Sequence, residues 1–173
     1  MASRVLNLVS VPESDFSAAS TTQKYPLGFQ VTVENTSGAA STYEYTYASG
    51  GALTVYQPYV FNLNSGLITT CLTLTAPVTL SAPGARAGVP QIAIASGSYG
   101  FVLVKGYGKA LRKAETYIIG DFFKLSSGNT SFAVDGSSGS TIKTTGSFGI
   151  TMEAGTTNVA KAVYLTGEQA LLA

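Results

Sequence analysis

The run Gly28-Phe29-Gln30-Val31-Thr32-Val33-Glu34-Asn35-Thr36-Ser37-Gly38, followed by Thr42-Tyr43-Glu44-Tyr45-Thr46-Tyr47, decides the fold class. Phe29, Val31 and Val33 alternate with Gln30, Thr32 and Glu34, a period of two that puts each set on its own face of a strand. Asn35 to Gly38 has turn composition. On the return, Tyr43, Tyr45 and Tyr47 share one face while Glu44 and Thr46 take the other, so the pair predicts a β-hairpin.

The same style continues downstream. Ala52 to Leu63 is strand-like, with Pro58 marking an edge or a bend. Leu67 to Thr75 alternates clearly after the Asn64-Ser65-Gly66 turn. Residues 76–90 carry Pro77, Pro83, Gly84, Gly88 and Pro90 and read as an extended crossover with a short strand at Val78-Thr79-Leu80. Beyond it come Ile92 to Ile94, Phe101 to Lys105, a Gly106-Tyr107-Gly108 hairpin turn, and Ala110 to Thr116 as a helical turn or a strand. Tyr117 to Leu125 carries a Gly120-Asp121 turn; Phe132 to Val134, Ile142 to Thr144, Phe148 to Ala154 and Ala160 to Leu165 complete the set. Helical periodicity is scarce and no internal repeat stands out. The expectation is all-β: a small β-barrel or sandwich of short strands.

Residues 1–27 differ in character. Val5, Leu6, Leu8, Val9 and Val11 precede Pro12-Glu13-Ser14-Asp15-Phe16 and a small, polar stretch. This reads as an extended N-terminal arm leading into a β domain at 28–173, with residues 76–90 the place where two β subdomains would divide. An arm with apolar residues must cover something, either its own domain or a neighbour.

Composition narrows function. Charged residues are 11% of the chain, under half the roughly 25% of ordinary soluble proteins. Net charge is +1, so no large field draws nucleic acid or an anionic membrane. Lys105, Lys109, Arg112 and Lys113 read as a solvated hairpin face. No run approaches the roughly 18 apolar residues of a membrane helix, and the first residues lack a signal-peptide core. The expected setting is a cytoplasm.

Catalytic chemistry finds little purchase. The chain has no histidine and one cysteine, Cys71, in a strand-like run that suits a buried small side chain. Cys/His zinc sites and Ser-His-Asp or Cys-His nucleophile systems are therefore excluded. Among the acids only Glu13 and Asp15 are closely spaced, and each acid reads as a turn or solvent-facing position. Asp135-Gly136-Ser137-Ser138-Gly139 lacks Ca²⁺-loop spacing, and Gly106-Tyr107-Gly108-Lys109 lacks the phosphate-loop pattern. No cofactor and no metal is expected. The stripe Tyr43, Tyr45, Tyr47 is the candidate surface, open to three roles: the domain's own core, a protein interface, or a platform for sugar rings.

The residues Tyr99-Gly100-Phe101-Val102-Leu103-Val104-Lys105-Gly106, Ile119-Gly120-Asp121, Glu153-Ala154-Gly155 and Val163-Tyr164-Leu165, with the start Leu6-Asn7-Leu8-Val9-Ser10-Val11-Pro12, resemble the decoration (cement) proteins of tailed-bacteriophage heads. The likeness covers the C-terminal half well and the N-terminal half loosely. It implies a non-enzymatic virion protein on the outer surface of the capsid, made in the host bacterial cytoplasm. Its implied partners are the major capsid protein and further copies of itself, as a trimer sooner than a dimer. Interface candidates are Val5, Leu6, Leu8, Val9, Phe16, Tyr43, Tyr45 and Tyr47. A glycan-binding tail-fibre module and a tail or head-completion protein are the alternatives.

Overall fold

The computed structural model describes residues 4–5, 11–34, 38–61, 67–68, 86–125, 131–134, 147–156 and 159–167. It is all-β apart from one helical turn, α1 (Ser14–Ser17). The strands are β1 (Arg4–Val5), β2 (Gln30–Glu34), β3 (Ala40–Ala48), β4 (Tyr59–Phe61), β5 (Leu67–Ile68), β6 (Arg86–Pro90), β7 (Tyr99–Leu111), β8 (Phe122–Leu125), β9 (Phe132–Val134), β10 (Gly149–Thr151) and β11 (Ala160–Leu165).

The main path of hydrogen-bonded neighbours runs β1-β2-β3-β7-β11-β10-β8-β9. Strand β6 also joins β7 and carries β4, while β5 lies parallel to β3. Strands β1 and β9 end the path and do not pair with each other among the described residues. The sheet is therefore open and sandwich-like, and of the two expected architectures the closed barrel is not formed. The expected first hairpin is present, with Val31 opposite Tyr43 and Val33 opposite Ser41.

Strand β7 organises the rest. Its first half pairs with β3, from Tyr99 opposite Tyr47 to Lys105 opposite Thr42. Its second half pairs with β11, from Gly106 opposite Leu165 to Leu111 opposite Ala160. The change of partner falls at Gly106, where φ is +98°. A side chain there would put its Cβ 2.5 Å from the Ala40 carbonyl oxygen, so only glycine allows the two strands to pass this closely. A register shift between Thr42 and Tyr43 adds a bulge next to the same point. The expected hairpin turn at Gly106-Tyr107-Gly108 is thus corrected. The glycine bends a continuous strand instead of reversing it, because each half finds a different partner. Ala110 and Leu111 extend the strand rather than start a helix, and Arg86 to Pro90, expected as crossover, are paired on β4 and β7. Residues 76–85 lie outside the described set.

Alternation along β7 serves two buried layers. Val102 and Val104 pack with Ala48, Leu53, Tyr59 and Ile94. Phe101 packs with Val11, Val31 and Tyr45 on the opposite face. Toward the C-terminal strands a third group forms from Leu103, Ala110, Phe123, Phe132, Phe148, Val163 and Leu165 with Ala87 and Val89. Tyr43 touches both the second and third groups and joins those two. Each such side chain taken from water contributes about 1.5–3 kcal/mol.

Four turns share one geometry: Pro26-Leu27-Gly28-Phe29, Thr54-Val55-Tyr56-Gln57, Ala95-Ser96-Gly97-Ser98 and Ile118-Ile119-Gly120-Asp121. In each, the fourth residue's N–H donates to the first residue's carbonyl, at 3.1–3.2 Å. The third residue has positive φ, as a type II turn requires. Three use glycine there and one uses Tyr56, at φ +64°.

Candidate functional site

The tyrosine stripe belongs mainly to the interior. Tyr45 is 2% exposed and its ring meets those of Tyr25, Phe101 and Tyr99. Tyr43 is half-buried, edge-on to Phe16. Tyr47 is half-buried with its ring 4.7 Å from that of Tyr99. Tyr43 and Tyr45 are covered by the chain's own N-terminal segment. Val11 enters the core, and Phe16, Tyr25, Leu27 and Phe29 lie over the sheet.

The described part of the expected arm is therefore a strap on its own domain rather than an extended tail. Its polar fastening is compact. Asp15 accepts from Lys24 Nζ at 2.6 Å and from the Tyr25 hydroxyl at 2.7 Å. Those two donors hold the Asp15 carboxyl below its ordinary range, while burial and the bond to Asp15 push the Tyr25 phenol up to about 12. The Ser20 backbone exchanges hydrogen bonds with Tyr99, and the Lys24 N–H donates to the Tyr45 hydroxyl. Of the other arm candidates, Val5 is opposite Val33 in this chain's own sheet. Leu6, Leu8 and Val9 lie outside the described residues, as do Cys71 and Asp135.

Two charged positions depart from expectation. Glu44, read as solvent-facing, is 1% exposed and accepts from the Gln30 side chain at 2.9 Å, because both faces of β3 are covered. Arg112, read as part of a solvated face, is 0% exposed, whereas Lys105 and Lys109 do face solvent. The strand turns inward after Leu111, where Arg112 bridges to Phe132. Beside it the Tyr117 hydroxyl donates to the Phe132 carbonyl at 2.8 Å, and burial raises that phenol to about 12.

The apolar surface lies elsewhere. Ile118 is 46% and Ile119 65% exposed, side by side at the tip of one turn. That tip is held firmly. Asp121 accepts from the Ile118 N–H at 2.9 Å, Thr151 Oγ1 donates to the Ile118 carbonyl at 2.5 Å, and the Gly120 N–H donates to the Thr151 carbonyl at 2.9 Å. Two adjacent isoleucines in Tyr117-Ile118-Ile119-Gly120-Asp121 were the available signal: a β-branched pair at the head of a glycine turn has no room to bury both side chains. Among the described residues, no three His, Cys, Asp or Glu side chains gather as a metal site would need. No described helix is long and apolar enough to cross a membrane.

Fold and surface together define an all-β, sandwich-like protein whose clearest exposed feature is a rigid apolar turn. Compared with family models and with curated proteins, the sequence matches none.

Proposed function

We propose that this chain is a structural protein of a tailed-bacteriophage particle that binds the outer face of the major capsid lattice and reinforces the head. The observation that carries the reading is the Ile118-Ile119 tip, exposed and fixed by hydrogen bonds to Asp121 and Thr151. A preorganised apolar tip binds without ordering a loop, which lowers the cost of each contact. Symmetry then repeats a shallow contact many times over a shell. The same turn contains Ile119-Gly120-Asp121, part of the resemblance to cement proteins. The low charge suits close approach of copies, and a trimer is the expected self-assembly. The glycan reading loses its platform, since Tyr43 and Tyr45 pack inward.

Co-sedimentation with expanded, undecorated heads tests the proposal. Saturation at a fixed ratio to capsid protein, with heads made more heat-resistant, is the expected result. The double variant I118S/I119S should fold and lose at least tenfold in head binding, because exposed side chains contribute little to stability. Absence of wild-type binding would sink the capsid reading.

A further inference from the structure

Four directly opposed residues line up across the C-terminal strands. Tyr107 on β7 is opposite Tyr164 on β11, Tyr164 is opposite Ile150 on β10, and Ile150 is opposite Phe122 on β8. Residues opposite one another in antiparallel strands share a face, so the four side chains form one row across the sheet. Their chain neighbours Val163, Thr151 and Phe123 take the other face and are wholly buried, which places the row on the side away from that core. Tyr107 is 42% exposed, and the other three are partly exposed. By the spacing of strands the row is roughly 14 Å long.

The two ends of the row differ. At β7, Lys105 and Lys109 stand two residues to either side of Tyr107, and both are exposed. The nearest aromatic ring to Lys109 Nζ, that of Tyr56, is 6.0 Å away at its centroid and leaves the positive charge in place. None of the four strands contains an acidic residue. At the far end, Phe122 directly follows the turn that carries Ile118 and Ile119. The surface is thus cationic at β7 and apolar from there to the tip.

We infer that this face is a docking surface for a partner protein, whose matching surface is an apolar strip with carboxylates at the end that meets Lys105 and Lys109. Charge complementarity selects that occupant. A second copy meeting it by the same face would bring the same acid-free strands and no counter-charge for the lysines. The Tyr107 and Tyr164 rings meet at 74°, edge to face, and do not offer the parallel faces on which successive bases stack. The inference rests on the capsid reading: the partner is the major capsid protein, met by the row and the tip together.

Co-sedimentation of full-length variants with expanded heads, at low and at high salt, tests the face. K105E/K109E should bind about tenfold more weakly than wild type, or worse, at low salt. K105M/K109M should lose most of the salt dependence, since added salt screens only what charge contributes. Y107S should weaken binding and leave the salt dependence as it was. All three should stay folded by circular dichroism, because exposed side chains contribute little to stability; should K105E/K109E unfold, the other two decide. If I118S/I119S weakens binding while the lysine and tyrosine variants match wild type, the face is not the contact and the capsid reading stands without it. If wild type does not bind heads, the capsid reading falls and this inference with it. Fluorescence anisotropy with labelled oligo(dT) and sedimentation velocity examine the other occupants. Wild-type binding to the oligonucleotide, or self-association, that disappears in K105E/K109E would reassign the face and overturn the inference.

Discussion

The aromatic layer under the strap and the phenylalanine core of the C-terminal strands are built from similar residues but differ in completeness. In the C-terminal core, Phe123, Phe132, Phe148, Val163 and Leu165 are buried, and Tyr43 is its one partly buried apolar neighbour among the described residues. Under the strap, Val11, Val31, Tyr45 and Phe101 are buried, while Phe16, Tyr25, Leu27, Phe29, Val33, Tyr43 and Tyr99 keep part of their surface in water. A sheet covers another sheet's side chains from many directions. A single segment of chain covers them along one line and leaves rims. The strap therefore needs the Asp15, Lys24 and Tyr25 fastening, whereas the C-terminal core places its one large charge, Arg112, inside.

The sharpest test of this difference is a pair of truncations. Phe132→Ala should cost about 3–5 kcal/mol by leaving a cavity, or roughly 10 °C in Tm. Phe16→Ala, at a partly exposed position, should cost only about 1–2 kcal/mol. Calorimetry showing equal losses would break the comparison.

A second prediction concerns the fastening alone. A carboxyl whose pKa is lowered on folding contributes stability that is present above its ordinary value of 3.8 and lost as pH falls through the lowered value. Asp15→Asn should remove about 1–2 kcal/mol at neutral pH, mostly through the phenol's bond, since the half-exposed Lys24 forms a weak ion pair. The loss relative to wild type should shrink below pH 3.8. Glu115 and Glu153 are also held low by their lysine partners and add acid dependence of their own. The difference between the two Tm–pH curves is therefore the readout, and a constant difference down to pH 2 would contradict the fastening.

The smallest effect lies at a turn that ties the end of β7 to β6. Tyr56 accepts from the Leu111 N–H and donates to the Pro90 carbonyl, while holding a positive φ that the other three turns give to glycine. Tyr56→Gly should be more stable than Tyr56→Ala by about 1 kcal/mol, or roughly 2–4 °C by thermal melting. Equal melting points would mean that the four turns are not energetically equivalent.

The all-β class and several elements were legible because period-two alternation is a local signal. Phe132–Val134 and Ala160–Leu165 form strands at the expected bounds, and the turn before Phe122 is at Gly120-Asp121. What was not legible depends on partners distant in sequence. Gly106-Tyr107-Gly108 has the composition of a reversal, and only its pairing with β3 and β11 makes it a bend. Glu44 and Arg112 look solvated by residue type, and only coverage from both sides buries them. The tyrosine stripe was visible, but its role hinged on the strap, whose packing has no periodic signature. The Ile118-Ile119 tip passed as strand because β-branched residues favour strands wherever they occur.

Strand β7 also has a mechanical meaning. A pull that enters at Tyr99 is carried along thirteen residues held laterally by β3 and β6 first and by β11 afterwards. The ladders on both sides of the bend are then loaded in shear, many bonds at once, instead of being peeled open singly.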